Sequence, residues 1–141
     1  MDTRLTIEVA GLPAPQGSKT IYRGRLVEAS GDKLKKWRKA IADECSKYTG
    51  NNIFLGPVEV EIDFYLPRPA SVKQAKRPFP IVPPDVDKLS RACLDGIGQG
   101  PSGKSGDGVI WGDDSQVISL IARKYYADDR DPGARIQITP L

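Results

Sequence analysis

The sequence contains no histidine, and this absence narrows the chemistry open to the chain. Nucleophilic sites that pair serine or cysteine with histidine, zinc sites built on paired histidines and histidine-metal nucleases are all excluded. Catalysis would therefore have to come from carboxylates, lysine, tyrosine or a bound metal ion.

Cysteine and long apolar runs are also scarce. Cys45 and Cys93 lie in helical patterns without CxxC spacing, so we interpret them as buried, reduced thiols. No segment approaches the roughly 20 apolar residues that a membrane-spanning helix needs. The first residues alternate apolar and polar side chains, unlike a signal peptide. We therefore expect a soluble, intracellular protein without a membrane partner.

The apolar patterns predict one α+β domain spanning residues 1–141. Alternating residues indicate strands at 4–10, 58–66 and 134–138, and a run apolar on both faces indicates a central strand at 116–126. Residues 16–27 favour a loose hairpin or loop, and steps of three and four predict one helix capped by Ser30 or Asp32 and a second after Asp85. The expected fold is a mixed sheet of about four strands with two main helices, in β-α-β-α-β-β order.

Positive charge is concentrated in two blocks, although the net charge is only +3. Residues 16–47 hold nine lysines and arginines against four acids, and residues 67–91 hold six against two. Basic blocks beside an acidic cluster suit a polyanion such as DNA, although solvated basic faces are the plain alternative. The candidate DNA-binding residues are Lys19, Arg23, Arg25, Lys73, Lys76, Arg77 and Lys88.

Two acidic doublets stand out, Asp85/Asp87 at a loop-to-helix junction and Asp113/Asp114 before a strand. Each doublet alone reads as a helix cap or a turn. If the helix and the strand pack side by side, the doublets meet, and ionised carboxylates repel unless a cation lies between them. Magnesium prefers such oxygen ligands, and a metal-bound water can attack a phosphodiester. We therefore predict a magnesium site, with manganese as a substitute.

Residues 98–105 match the phosphate-loop pattern GxxxxGK[ST] literally. That loop needs a strand before it and a helix after it, so that the helix N-terminus faces the phosphate. Here a helical pattern precedes the motif. We expect no nucleotide cofactor, and a nucleotide binder is the weakest of three interpretations.

Residues 84–95 (PDVDKLSRACLD) and 109–117 (VIWGDDSQV) resemble the RusA family of Holliday junction resolvases, whose pattern is PDxDNLxKAxxDAL followed by WxDDxQV. Residues 13–19 (PAPQGSK) also resemble the start of some phage members. The resemblance implies a homodimeric, magnesium-dependent endonuclease that nicks branched DNA symmetrically and leaves 5′-phosphate and 3′-hydroxyl ends. It also implies the cytoplasm of a bacterium or of a phage-infected host.

Carried over by position, the resemblance makes Asp85, Asp87 and Asp114 the essential aspartates, with Asp95 and Asp113 as further acidic positions. We expect Asp85, Asp87, Asp113 and Asp114 to bind metal. Two residues depart from the pattern, since Lys88 replaces asparagine and Arg91 replaces a functional lysine. Arginine keeps the charge needed at a catalytic position but does not readily release a proton.

Arg91 also has a structural interpretation, because Asp87, Arg91 and Asp95 follow each other at four-residue steps and could form a salt-bridge ladder along a helix.

The predicted function is a structure-selective endodeoxyribonuclease that resolves Holliday junctions or other branched DNA. The alternative is a catalytically inactive protein that binds branched DNA.

Overall fold

The computed structural model describes residues 4–17, 19–28, 31–48, 53–99 and 108–141. Six strands, two α-helices and one short 3-10 turn occur in these ranges. In chain order they are β1 (Leu5–Ala10), β2 (Lys19–Tyr22), β3 (Arg25–Glu28), α1 (Gly31–Cys45), β4 (Val58–Leu66), α2 (Val86–Gly98), the 3-10 turn (Asp114–Gln116), β5 (Val117–Tyr126) and β6 (Gly133–Pro140). The predicted α+β class and element order are confirmed.

The main sheet has the strand order β1-β6-β4-β5. Strand β6 runs antiparallel to β1 and to β4, whereas β4 and β5 are parallel, so the sheet is mixed as predicted. Parallel neighbours need a long crossover, and α2 lies in the connection from β4 to β5. This crossover carries both acidic doublets.

One face of the sheet holds the core. Alternate residues of β4 are buried there, from Val58 to Leu66. Helices α1 and α2 contribute the large side chains that complete it, among them Trp37, Ile41, Leu89 and Ile97. Cys45 and Cys93 are buried free thiols, which confirms their prediction, and burial raises the pKa of Cys45 to about 12.

The segment predicted as a hairpin or loop is a hairpin of β2 and β3. Its two-residue turn places Arg23 and Gly24 at φ values of 51° and 77°. A two-residue hairpin turn of this kind needs left-handed backbone, which glycine adopts without strain.

Strand β5 is an edge strand, so its prediction as a central strand is wrong. Ile118 is 65% exposed and Leu120 is 43% exposed. An apolar pattern on both faces indicates that a strand is covered, but it does not say whether its own chain covers it. No helix in the described ranges is long and apolar enough to cross a membrane.

Candidate active site

Asp114 and Asp95 form a carboxylate pair where the 3-10 turn meets the last turns of α2. The Trp111 Nε1 group donates a hydrogen bond of 2.8 Å to Asp114 Oδ1, and the Asp95 carboxyl lies within hydrogen-bonding reach of Asp114. Gly98 allows the close approach, because a Cβ atom there would stand 2.5 Å from Asp114 Oδ1. Helix α2 therefore contacts the Asp114 carboxyl at Gly98, a position where the helix carries no side chain.

The environment of Asp114 disfavours its charge. Its pKa is raised to about 6, chiefly by burial and to a smaller extent by the neighbouring Asp95 and Asp113, whereas the hydrogen bond from Trp111 acts in the opposite direction. Two carboxylates in contact share a proton or a cation, because otherwise both charges repel in a poorly solvated place. At neutral pH this pair is poised to accept a cation.

Gln16 joins the pair from the segment before β2. Its backbone N–H donates to Lys88 O at 3.0 Å, and its side-chain Nε2 donates to Asp95 Oδ2. The Gln16 Oε1 atom is buried without a hydrogen-bond partner. Gly17 follows at a φ of 104°, with Arg91 Nη1 only 3.3 Å from where its Cβ would lie. Gln16 and Gly17 are therefore held against α2.

This donor set fits magnesium. Asp95 and Asp114 offer carboxylate oxygens, and Gln16 offers a buried carboxamide oxygen without a partner. Magnesium is usually held by one or two carboxylates, several waters and substrate phosphate, so a pair is sufficient. Within the described ranges no cluster of three or more acidic or cysteine side chains is gathered.

Asp113 is engaged in local structure. It caps the 3-10 turn by accepting a 2.8 Å hydrogen bond from Ser115 N, and that N–H lowers the pKa of the Asp113 carboxyl. Gln116 completes a capping box and ties the turn to Phe54 O at 2.8 Å. Asp113 therefore fixes the turn that presents Asp114, and its predicted metal role stays a prediction.

The first doublet lies at the other end of α2. Asp85 occupies the N-cap position, yet its side chain makes no capping hydrogen bond and stands 3.7 Å from Lys88 Nζ. Asp87 is exposed in the first turn. The Asp85 side chain therefore does not cap the helix, so the capping interpretation is not realised there.

A single chain does not bring the two doublets together. Helix α2 has 13 residues from Val86 to Gly98, which corresponds to about 20 Å at 1.5 Å per residue, and the two doublets lie at its opposite ends. Lys124, near the far end of β5, donates to Pro84 O at 3.0 Å and so fixes the start of α2 there. Asp114 precedes the opposite end of the same strand.

A sequence model of the family described as "Endodeoxyribonuclease RusA" matches residues 11–139. This range includes Gln16, both doublets, strands β2 to β5 and all of β6 except Pro140, and it begins after β1. The chain belongs to the RusA endodeoxyribonuclease family. It is also similar to the "Uncharacterized protein YqaN" of Bacillus subtilis (strain 168), with 27% identity over 132 residues, covering 86% of this chain and 87% of that protein. RusA proteins are endodeoxyribonucleases, so the chain is an enzyme that cleaves DNA.

Arg91, which replaces the RusA lysine, is exposed on α2. No ion pair within 4.0 Å joins it to Asp87 or Asp95, so the salt-bridge ladder is not formed. Asp95 instead contacts Gln16 and Asp114. The Arg91 guanidinium therefore forms no ion pair with Asp87 or Asp95, which suits a role in binding phosphate.

The predicted DNA-binding residues occupy different settings. Lys73 and Lys76 are exposed in the loop of residues 67–84, and Arg23 is exposed at the hairpin turn. Arg77 instead donates a 2.8 Å hydrogen bond to the Tyr126 hydroxyl, so part of its capacity stabilises the loop. The side chains of Lys19 and Arg25, and residues 100–107 with Lys104, lie outside the described part. Helix α2 precedes the phosphate-loop motif, where a strand would be needed.

Two residues of the site were not predicted as site residues. Gln16 lies in a segment that the sequence singled out for its resemblance, but an uncharged side chain gave no signal of its contact with Asp95. Trp111 lies three residues before Asp114, and its NH group is one that usually needs a partner when buried. That requirement, applied to the WGDD motif, would have suggested the pairing.

Proposed function

We propose that the chain is a divalent-metal-dependent endonuclease that resolves Holliday junctions or other branched DNA by paired nicks. The observation that carries this proposal is the Asp95–Asp114 pair, held in contact although burial raises the pKa of Asp114 to about 6. Holding two like charges together costs stability. A protein that only binds DNA would gain nothing from that cost, which argues against the inactive binder.

Magnesium is the proposed ion, with manganese as a substitute, and Asp114 and Asp95 would hold it. When bound, the ion would supply an activated water and charge stabilisation at the phosphodiester. Trp111 orients Asp114, and Gln16 orients Asp95. Arg91 and Lys88 would neutralise the phosphate that approaches α2.

The proposed active unit is a homodimer joined along β5. Ile118, Leu120 and Ile121 leave this edge apolar, with exposures of 65%, 43% and 39%. Exposed apolar edge strands favour pairing with another chain, and a two-fold dimer pairs such an edge with itself. Antiparallel β5 strands place the start of one beside the end of the other. Asp114 of each chain then lies on the side of Asp85 and Asp87 of the partner subunit.

In this arrangement the predicted aspartates form two composite sites. Each site takes Asp95 and Asp114 from one chain and Asp85 and Asp87 from the partner subunit. Two equivalent sites related by two-fold symmetry suit paired nicks on a symmetric junction. We also propose that residues 1–141 act as a single endonuclease domain in the bacterial cytoplasm, where its DNA substrate is found.

A four-way junction assay tests the proposal. Wild type should nick the junction in magnesium, whereas Asp85→Asn and Asp114→Asn should each reduce nicking at least about 100-fold while junction binding is retained. Binding should weaken steeply with salt, since phosphate contacts dominate it. Cleavage retained by both variants would contradict the proposed site. Junction binding by wild type without cleavage in magnesium or manganese would favour the inactive binder.

A further inference from the structure

The loop that leads into the first doublet exposes large apolar side chains at its tip, Phe79–Val82. Ile81 is 82% exposed, Phe79 is 57% exposed and Val82 is 36% exposed. Only two residues separate Val82 from Asp85. A cluster of large, exposed apolar side chains usually marks a surface that binds another molecule.

The tip is held in place despite its exposure. Pro80, between Phe79 and Ile81, is buried, and Ile81 N donates to Phe79 O at 2.9 Å. Lys124 Nζ donates to Val82 O at 3.1 Å from the end of β5. The apolar side chains are therefore presented by a fixed backbone instead of collapsing onto the core.

A second clamp fixes the approach to the tip. Arg68 Nη1 donates to Arg77 O at 2.6 Å, and its guanidinium is bound to Asp128, with Nε 2.7 Å from Oδ1. The Phe79 ring lies 6.5 Å from the Tyr125 ring, centre to centre. The hydrogen bond and the ion pair of Arg68 therefore stabilise one conformation of the loop, which a simple connection between two elements would not need.

The charge of this loop indicates the partner. Residues 67–84 contain no acid and four basic residues, and Lys73 and Lys76 are exposed within them. Two copies of such a loop would repel each other, whereas a polyanion would be attracted. An apolar tip within a basic loop therefore fits DNA better than it fits a second copy of this chain.

We propose that Phe79 and Ile81 form an apolar wedge that enters the branch point of DNA and selects branched over linear duplex. Inserted apolar side chains separate neighbouring base pairs, at the cost of unstacking them. That cost is lowest where bases are already unstacked or unpaired, as at a branch point. The wedge rests on the proposed function and adds the residues that recognise the branched substrate.

The test compares affinities for a four-way junction and for a linear duplex of the same sequence content. Both are measured in the Asp114→Asn background, so that no cleavage occurs. Phe79→Ser with Ile81→Ser should lower the preference for the junction about tenfold, a value in the range of one lost stacking contact, and leave duplex affinity within about twofold. Leu141→Ser is the matched control, because Leu141 is 63% exposed and lies beside Pro57 before β4, whereas the loop follows β4.

A second readout follows insertion directly. A 2-aminopurine placed at the branch point should brighten when the wedge enters, and the double serine variant should lose this signal. An unchanged junction preference and an unchanged signal in that variant would overturn the wedge. So would a change from dimer to monomer in sedimentation, because the tip would then contact a second copy. If the protein without the serine changes shows no junction preference, the proposed function fails, and the wedge fails with it.

Discussion

At the scale of single residues, Asp114 links stability to function. Its folded pKa of about 6 exceeds the ordinary value of 3.8, so the folded state holds this proton more tightly than the unfolded state. The associated stability is present below about pH 4 and is lost as the pH rises to about 6. Without divalent metal, the free energy of unfolding should therefore fall across that range because of Asp114.

Asp114→Asn should stabilise the metal-free protein at pH 7.5. Asparagine removes the disfavoured charge and keeps an oxygen for Trp111 Nε1. The gain is roughly 1 kcal/mol after allowance for partial exposure, which raises Tm by about 3 °C. Thermal melting in EDTA measures it, and a lower Tm would contradict the assignment. Asp113→Asn is the control with the opposite sign, because the Ser115 N–H lowers the Asp113 pKa and favours its charge.

Gln16 is predicted to position Asp95. Gln16→Ala removes the hydrogen bond to Asp95 Oδ2, so the Asp95 carboxylate loses its fixed orientation toward Asp114. Nicking should fall about tenfold, in keeping with the loss of an orienting hydrogen bond, while the affinity for the junction is unchanged. The pH profile of nicking should also shift, which a purely structural change would not cause.

The control for this change is Gln137→Ala. Gln137 lies on β6, between Ile136 and Ile138, which are buried, so it faces away from the helices. Its replacement should leave nicking and the pH profile unaltered. Equal losses in the two variants would show that Gln16 has no special relation to the carboxylate pair.

At the scale of elements, α2 decides the geometry of the site. Its sequence predicted a helix with acids at its start and an aspartate at position 95, and the structure confirms the helix. The spacing from Asp85 to Asp95 already implies about 15 Å along a helix. What the pattern did not provide is the direction of α2 relative to β5, which depends on crossover packing between distant residues.

The error over β5 has a similar origin. The run VISLIA is apolar on both faces, a pattern that predicts burial, yet Ile118 and Leu120 are exposed at the sheet edge. Sequence periodicity reports which side chains avoid water but not which chain covers them. Pairings such as Asp95 with Gln16 were equally unpredictable, because the two lie 79 positions apart in the sequence.

The contact between α2 and the 3-10 turn can be tested at Gly98. Gly98→Ala would place a Cβ atom 2.5 Å from Asp114 Oδ1, so Asp114 or the helix end must move. Nicking should fall more than about tenfold, since misplacement of a catalytic group by about 1 Å has large effects. Gly31→Ala is the control, because nothing lies within 4 Å of a Cβ atom there. Equal activity of Gly98→Ala and wild type would contradict the close approach.

At the scale of the whole molecule, the two halves of the acidic motif lie at opposite ends of β5, and β5 is the apolar edge of the sheet. These two facts have one common explanation in an antiparallel dimer. The proposed pairing would cover Ile118 and Leu120 and would also bring together aspartates that one chain keeps about 20 Å apart. The sequence motif would then describe a site that belongs to the dimer.

Mixed dimers of Asp85→Asn and Asp114→Asn distinguish composite sites from sites within one chain. Each variant alone should be inactive. In a mixed dimer, the first variant supplies an intact Asp114 and the second supplies an intact Asp85, so one composite site is restored. Each mixed dimer has one intact site of two, so purified mixed dimers should recover about half of the wild-type nicking.

Co-expression with two different affinity tags isolates the mixed dimers, and nicking of a four-way junction measures recovery. Mixed dimers of Asp85→Asn and Asp87→Asn are the matched control, because both changes fall in the same half of the site. They should stay inactive, since each composite site then carries one of the two changes. If the Asp85→Asn and Asp114→Asn dimers show no recovery, each chain must supply its own aspartates. Helix α2 would then have to rearrange on binding DNA, because its length keeps the two doublets apart in the fold described.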